Sequence, residues 1–353
     1  MNQVTLLRQT LQPHLAWHGA RLSFLAMFLI ALFRVKTVNL TELAAGFMGQ
    51  AQTDSHHKRL QRFFREFELN YYEIAKVIVG LMNIPEPWIL SLDRTDWQFG
   101  QTTFNILTLG IVHQGVAFPV LWWMLDKKGN SNTSERIELM EEINTLFPER
   151  KIAYLTADRE FLGHDWFGYL LKQPMIPFRI RIRASDCLSD GRRSLKAGIV
   201  FQHLKLQQTQ ILPKRRRLWG YWLYVAALRL EDNDLLVVVT PNSPSTAITD
   251  YAARWGIETL FGIFKTRGFC LESTHFTDSE RLSKLFALLT IALCWAFRTG
   301  QWLHEIKPLK LKKHGRKAKS LFRRGFDHLR RIVLNLEQEA DEFLNALEFL
   351  SCT

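Results

Sequence analysis

The stretch Tyr251-Ala-Ala-Arg254-Trp-Gly-Ile-Glu258-Thr-Leu-Phe-Gly-Ile-Phe-Lys265 organises the rest of this sequence. Its polar residues are separated by three, four and seven positions, which places them along one side of a helix. Apolar residues between them predict burial on most other sides: Trp255, Ile257, Leu260, Phe261 and Phe264. The carboxylate of Glu258 would then need a partner, because an unpaired buried charge is costly. The candidates are Arg254, Lys265 or a metal ion, and an ordinary ion pair within a core helix is the simplest alternative.

Two apolar runs of strand length each end in an aspartate. They are Trp88-Ile-Leu-Ser-Leu-Asp93 and Lys151-Ile-Ala-Tyr-Leu-Thr-Ala-Asp158. Because parallel strands deliver functional side chains at their carboxyl ends, we expect Asp93 and Asp158 to meet on neighbouring strands. Asp96 competes with Asp93 but falls in a predicted turn. Asp158 could also cap a helix beginning at Arg159-Glu-Phe161.

The spacing Y-x2-R-x3-E-x6-K resembles the signature of the IS4 family of bacterial insertion-sequence transposases and matches it at all four positions. In that family the glutamate completes an Asp-Asp-Glu triad. The resemblance, which covers about residues 35–300, implies that Asp93, Asp158 and Glu258 are catalytic and bind the metal, with Asp96 as a support. The run Leu-Thr-Ala-Asp158-Arg-Glu-Phe is similar to the second motif of the family.

The order of the predicted elements favours an α/β fold with an RNase H-like (retroviral integrase-like) core. Three strands, the last two at residues 104–113 and 116–125, precede a helix at 134–147. A strand-rich stretch separates Asp158 from Glu258 and is similar to the β-rich insertion of the family. We expect the following parts: a helical DNA-binding region (1–84), the first part of the core (85–175), the insertion (176–243), the second part with the catalytic helix (244–305), and a basic segment with a C-terminal helix (306–353).

The net charge of +12 predicts a polyanionic partner. Twelve lysines and arginines but only two acidic residues lie between Arg298 and Arg331. A solvated charge run would also explain this segment, but Trp302, Phe322 and Phe326 within it favour a nucleic-acid surface.

Two further segments are candidate DNA contacts. A helix, a break over 46–52 and a capping Thr53-Asp-Ser55 precede a basic helix, as in a helix-turn-helix reader. Its predicted contacts are Lys58, Arg59 and Arg62, and an ordinary basic surface helix is nearly as good an interpretation. In the insertion, Arg215 and Arg216 precede four aromatic residues, which indicates either backbone contact with base stacking or a charged hairpin tip. Those aromatic residues are Trp219, Tyr221, Trp222 and Tyr224.

The resemblance also implies a chemistry and partners. Three carboxylates suit Mg²⁺ or Mn²⁺, with two ions flanking a phosphodiester, while Tyr251, Arg254 and Lys265 would contact DNA phosphates. The expected partners are the terminal inverted repeats, a target DNA and a second copy in a homodimer. Some relatives stack a tryptophan on a flipped base from the strand before the glutamate helix, where this chain has leucine and valine. Base flipping would then depend on Trp219, Trp222 or Trp255.

No apolar run suffices to cross a membrane and no signal peptide is evident, so we expect a cytoplasmic protein. The cysteines lack paired spacing and should be buried, reduced thiols: Cys187, Cys270, Cys294 and Cys352. Two other functions remain open. One is a nuclease that cuts without joining, and the other is a catalytically silent DNA-binding regulator derived from a transposase.

Overall fold

The N-terminal region is helical, as its apolar spacing predicts. The computed structural model describes residues 3–99, 102–312 and 317–351. The first helices are α1 (Gln3–Leu11), α2 (Gly19–Val35), α3 (Leu40–Gly46), α4 (Thr53–Glu66) and α5 (Tyr71–Met82). Asn39 caps α3 by accepting hydrogen bonds from the backbone of Thr41 and Glu42. The predicted cap at 53–55 is wrong, because those residues already belong to α4, whose N-cap Gln52 makes no side-chain bond.

The core sheet has the strand order of an RNase H-like fold. Its elements are β1 (Trp88–Phe99), β2 (Thr102–His113), β3 (Val116–Leu125), α6 (Thr133–Leu146), β4 (Ile152–Ala157), α7 (His164–Leu171) and β5 (Phe178–Ile182). The first three strands form an antiparallel meander, and β4 and β5 add to it in parallel. The resulting order is β3-β2-β1-β4-β5, as expected for the predicted α/β core.

The predicted insertion is rich in strands but continuous with the core sheet. It contains β6 (Cys187–Ser189), β7 (Ser194–Lys196), α8 (Ala197–Val200), β8 (Thr209–Ile211), β9 (Arg216–Leu218), β10 (Tyr221–Arg229) and β11 (Leu235–Thr240). Strand β11 pairs antiparallel with β5, which extends the sheet through β10 to β9, β6 and β7. The expected boundary at residue 176 falls between β4 and β5, which pair with each other in the core sheet.

The last part of the chain is helical. It comprises α9 (Ala247–Tyr251), a 3-10 turn (Ala252–Arg254), α10 (Trp255–Gly262), a π-helical turn (Ile263–Arg267), a 3-10 turn (Leu271–Ser273), α11 (Ser279–Ile306), α12 (Leu321–Leu334), α13 (Ala340–Leu347) and a 3-10 turn (Glu348–Leu350). By length and hydropathy alone α11 could cross a membrane, as could α2 and α3 if they formed one bent span. However, 94% of the most apolar window of α11 is buried within the protein, which is typical of a core helix.

Two predicted element ends differ from the structure. Strand β1 does not turn after Asp93 but pairs with β2 as far as Phe99, because Thr95 and Trp97 keep the inward alternation of a strand. Asp93 is therefore in mid-strand and Asp96 is not in a turn. Asp158 does not begin a helix either, since α7 starts only at His164.

Some predicted exposures were also wrong. Phe322 and Phe326 are 2% and 0% exposed on the inner face of α12, so they pack in the core and cannot stack on nucleic acid. Part of the basic segment, residues 313–316, lies outside the described residues.

The cysteines differ in their exposure. Cys294 is buried as predicted, whereas Cys270 is half-buried and Cys187 is exposed at the start of β6. Cys352 lies outside the described residues.

Candidate active site

The neighbouring parallel strands β1 and β4 bring the two aspartates side by side. The register of β1 and β4 pairs Leu92 with Ala157, so Asp93 and Asp158 each follow a paired residue. The Asp93 side chain is 14% exposed, and its Oδ1 accepts a 2.8 Å hydrogen bond from the backbone N–H of Arg94. Asp93 and Asp158 are therefore on neighbouring parallel strands, as the sequence predicts, although β1 continues beyond Asp93.

The signature segment joins both aspartates to the glutamate. The Tyr251 hydroxyl lies 3.3 Å from Asp158 Oδ1 and donates to it. Arg254 Nη1 donates to Asp93 Oδ2 at 3.1 Å, and its Nη2 donates to the Oε1 of Glu258. Of the two cationic side chains considered as partners for Glu258, Arg254 contacts it, whereas Lys265 does not. Acids from three remote parts of the chain converge on one tyrosine and one guanidinium.

Burial and charge shift the protonation of this cluster. Burial raises the pKa of Asp93 to about 7, although Arg254 and the Arg94 N–H act in the opposite direction. Burial also raises the pKa of Tyr251, which keeps its hydroxyl a hydrogen-bond donor. Burial lowers the pKa of Arg254, but the surrounding Tyr251 and acids outweigh this, and the net pKa is raised. Arg254 is therefore a fixed positive charge.

A second arginine supports the aspartates from β1. Arg94 donates from Nε to Glu160 at 3.3 Å and from Nη1 to Asp96, and a further bond reaches Asn105 at 3.1 Å. This network spans β1, β2 and the loop that follows Asp158. Sequence reasoning missed Arg94 and Glu160, although both lie within two residues of an assigned aspartate.

Lys265 occupies a different position from the other three signature residues. Its Nζ donates to the backbone carbonyl of Asp96 at 3.0 Å and lies 5.4 Å from the centre of the Trp97 ring. Burial lowers its pKa, and the negative charges of Glu272 and Asp96 oppose the shift. Lys265 thus fastens the π-helical end of the segment to β1, and its contact with DNA stays a prediction.

A buried polar network fixes the start of the signature segment. Arg179 on β5 donates to Asp250 Oδ2 at 2.9 Å and to Thr240 Oγ1 at 2.7 Å, and its side chain is 4% exposed. The Tyr154 hydroxyl on β4 donates to the backbone carbonyl of Asp250 at 3.2 Å. Asp250 directly precedes Tyr251, so β4 and β5 set the position at which the signature helix begins. The alternating pattern of β5 did not reveal that Arg179 points inward.

The donor types of the cluster fit a divalent cation, but the acids are closed around an arginine. Three carboxylates without histidine or thiolate are the ligands that Mg²⁺ and Mn²⁺ prefer. Among the described residues, no group of three or more histidine, cysteine, aspartate or glutamate side chains is arranged to hold a metal ion. The guanidinium of Arg254 lies between Asp93 and Glu258 and supplies the positive charge that a cation would supply there.

The other predicted DNA contacts differ in their availability. On α4, Lys58 and Arg62 are exposed, whereas Arg59 donates to the backbone carbonyl of Ala20 at 3.3 Å. In the insertion, the Arg215 guanidinium lies 4.6 Å from the Tyr224 ring centre, as the cation–aromatic pattern predicts, and Arg216 donates to the backbone carbonyls of its two predecessors.

The tryptophans also differ. Trp255 was expected to be buried but is 62% exposed, next to Arg254, and Trp222 is 48% exposed. The prediction failed because the apolar face of the helix is narrower than assumed: Gly256 and Ile257 are buried, whereas Trp255 lies on the solvent side of α10. Trp219 packs against Phe167 on α7, with ring centres 5.4 Å apart, and is the least available of the three.

Comparisons with known proteins bear on the family of this chain. No curated protein matches the sequence at a significant level. A solved structure described as the cryo-EM structure of piggyBac transposase synaptic complex with hairpin DNA is similar with a TM-score of 0.42 and 12% identity. The match covers 77% of this chain and 59% of that one, and it is too weak to add to the fold assignment made from the strand order. The family model described as a transposase DDE domain matches residues 85–295, which include Asp93, Asp158 and Glu258. This match spans more than half of the sequence, and the chain therefore belongs to the transposase DDE domain family.

Proposed function

We propose that this protein is a DNA transposase of the IS4 type that cuts at the terminal inverted repeats of its element and joins the ends to a target DNA. One observation carries the proposal: Asp93, Asp158 and Glu258 converge on Tyr251 and Arg254 within a transposase DDE domain. A structural ion-pair cluster would need only one of the acids to balance Arg254. Three acids around one arginine leave an excess of negative charge that suits added cations.

The three carboxylates would hold Mg²⁺ or Mn²⁺, and two such ions could activate a water or 3′-hydroxyl and stabilise the leaving oxygen. The residues of the chain have distinct tasks. Tyr251 keeps its proton because burial raises its pKa, so it can donate a hydrogen bond to Asp158 or to a phosphate oxygen. Arg254 donates hydrogen bonds to both Asp93 and Glu258. Once these carboxylates bind cations, its forked guanidinium is free to hold a phosphate.

The DNA contacts follow from exposure and charge. Lys58, Arg62, Arg215 and Arg216 would bind backbone phosphates of the inverted repeats, with Arg59 contributing only if it leaves its contacts on α2. The exposed Trp255, adjacent to Arg254, is better placed to stack on an unpaired base than the packed Trp219. We further propose a homodimer acting in the bacterial cytoplasm and a hairpin intermediate.

The two alternatives make different products. A nuclease on this fold would cut without joining, and a silent regulator would bind without cutting. The intact set of three acids favours an active enzyme, because a protein that only binds DNA has no use for buried Asp93 at the cost of its desolvation.

The decisive experiment combines purified protein, Mg²⁺, a target plasmid and a labelled duplex carrying the inverted ends that flank the reading frame. We expect joined products from the wild type. The variant Glu258→Gln should lower cleavage by about a thousandfold, as is typical when electrostatic stabilisation at the reacting phosphate is lost. Its affinity for the ends should stay within about twofold, because phosphate contacts supply most of that affinity.

Glu337→Gln removes an exposed carboxylate and serves as the matched control. Full cleavage by Glu258→Gln would refute the site assignment. Cutting without joining by the wild type would favour the nuclease, and binding alone would favour the regulator.

A further inference from the structure

A groove outside the active site separates the N-terminal helices from the start of α11. One wall is α4, which presents His57, Gln61 and Arg65 at intervals of four residues. The opposite wall is formed by residues 274–276 and Arg281 at the beginning of α11, and residues 39–41 close one end. The volume of the groove is about 380 Å³. It therefore lies between the predicted DNA-binding region and the catalytic domain.

The residues that line this groove are all neutral or basic. Two arginines and two histidines face the groove together with amide and hydroxyl donors, and none of the described residues that line it is an aspartate or glutamate. The cations are Arg65 and Arg281, and the histidines are His57 and His275. Donors gathered from two walls, with no carboxylate among the described lining residues, are the lining that an anion requires.

The two walls are fixed relative to each other. Phe64 and Phe276 pack edge to face across the floor with ring centres 5.1 Å apart. Lys284 Nζ donates to the backbone carbonyl of Phe64 at 3.2 Å from a fully packed position on α11. The groove is thus formed before any ligand arrives, so binding need not order its walls.

The arginines of the groove make few ion pairs with the described part of the protein. Arg65 pairs with its neighbour Glu66 at 2.7 Å, and the two side chains are 59% and 46% exposed, so water and salt screen the pair. The Arg281 guanidinium has no ion pair within the described part of the chain. Both charges are available to an external anion.

We propose that this groove binds the phosphodiester backbone of double-stranded DNA and so holds the N-terminal helices and the catalytic domain on one duplex. The exposed Lys58 and Arg62 are four and three positions apart from one another and from Arg65, so all three lie on one side of α4 and the basic surface continues beyond the groove. A repeating anion suits such a continuous row better than a single small anion does. The inference rests on the proposed function for the identity of the DNA.

The test is DNA binding by the double variant Arg65→Gln/Arg281→Gln. Fluorescence anisotropy with a labelled duplex carrying the inverted ends is measured from about 50 to 300 mM NaCl, where each lost phosphate contact lowers the salt slope by about 0.9. We expect the dissociation constant at about 100 mM salt to rise about tenfold and the slope to fall by between about one and two. Arg65→Lys/Arg281→Lys keeps both charges and should restore most of the affinity.

The matched control is Lys128→Gln/Lys172→Gln, which removes two exposed cations elsewhere. The proposal is overturned if the groove variant binds DNA with the same affinity and salt slope as this control. It is also overturned if calorimetry shows that the wild-type groove binds inorganic phosphate but Arg65→Gln/Arg281→Gln binds DNA as tightly as the wild type does. Cleavage is measured separately: a wild type that binds through the groove but never cuts contradicts the proposed function alone.

Discussion

The active site and the groove between α4 and α11 use the same residue type in opposite ways. In the active site, the Arg254 side chain is 9% exposed and lies between Asp93 and Glu258. In the groove, Arg65 is 59% exposed and Arg281 faces no described carboxylate. The first arginine is an internal counter-ion, whereas the others are open to an external anion. The partner of a cation, rather than its presence in the sequence, decides its role.

Burial explains the difference. Removing a guanidinium from water is costly unless carboxylates or other acceptors compensate it. The buried Arg136 donates to the hydroxyl and the carbonyl of Ser131, whereas two other buried arginines pair with acids. Arg254 has Asp93 and Glu258, and Arg179 has Asp250. An exposed arginine needs no such partner and retains its attraction for phosphate. Each of the following predictions tests whether the two classes of arginine behave differently.

The largest effect on activity is expected for Arg254→Gln. Cleavage should fall by about a thousandfold, because a donor aimed at the reacting phosphate is lost. The same change should tighten Mn²⁺ binding by about tenfold, since one opposing positive charge worth about 1.4 kcal/mol leaves the carboxylates. Cleavage assays and Mn²⁺ titration by electron paramagnetic resonance measure the two effects.

Arg281→Gln is the comparison for Arg254→Gln. It should leave Mn²⁺ binding unchanged and weaken only DNA binding. If Arg254→Gln instead weakens Mn²⁺ binding, the guanidinium positions the carboxylates for the ion. Its role as an internal counter-ion that opposes the ion would then be wrong.

The next largest effect is on stability. Arg179→Met leaves Asp250 without its buried partner and should lower the free energy of unfolding by about 3 kcal/mol, as is usual when one member of a buried pair is removed. Urea denaturation measures this loss. The double variant Arg179→Met/Asp250→Asn should recover part of it, because the unpaired charge is gone.

The exposed arginines supply the control for Arg179. Arg65→Gln should change the free energy of unfolding by less than about 0.5 kcal/mol, as surface substitutions usually do. A loss below about 1 kcal/mol for Arg179→Met would show that Asp250 is adequately solvated and that the network does not fix the signature helix.

The sequence predicted the positions of helices and strands better than the contacts between their side chains. Period-two and period-three-to-four patterns located β2, β3 and the N-terminal helices, because burial of one face dictates those patterns. The helical spacing of the signature correctly brought Arg254 and Glu258 together. The extension of β1 was missed because the short polar steps at Arg94 and Asp96 resemble a turn, although Thr95 and Trp97 continue the strand.

What could not be predicted depends on contacts between distant parts of the chain. The groove joins residues near 60 to residues near 280, and no local pattern relates them. Arg179 gave no signal, because an inward arginine on a strand is distinguishable from an outward one only when its acid partner is known. The exposure of Trp255 likewise depends on which side of α10 packs on the sheet, and Gly256 rather than Trp255 contacts β2 and β3.

The smallest effect concerns the proton on Asp93. Its pKa rises from about 4 in the unfolded chain to about 7 in the fold, because burial disfavours its charge. The folded state therefore retains a proton that the unfolded state has lost between these values. This contribution to stability is complete below about pH 4 and is lost as the pH rises through about 7. Asp93→Asn removes the titration, so its free energy of unfolding relative to the wild type should increase by about 2 kcal/mol between about pH 5 and 8.

Urea denaturation at several pH values without divalent cations measures this difference between Asp93→Asn and the wild type, and Arg281→Gln should show no such trend. A difference independent of pH would mean that Arg254 keeps Asp93 ionised throughout. The outcome bears directly on the comparison of the two arginine sites. A carboxylate that protonates near neutrality despite an adjacent guanidinium has to release its proton before it can hold a cation. Cation binding at the active site should therefore strengthen as the pH rises through about 7, whereas phosphate binding by the arginines of the groove requires no such step.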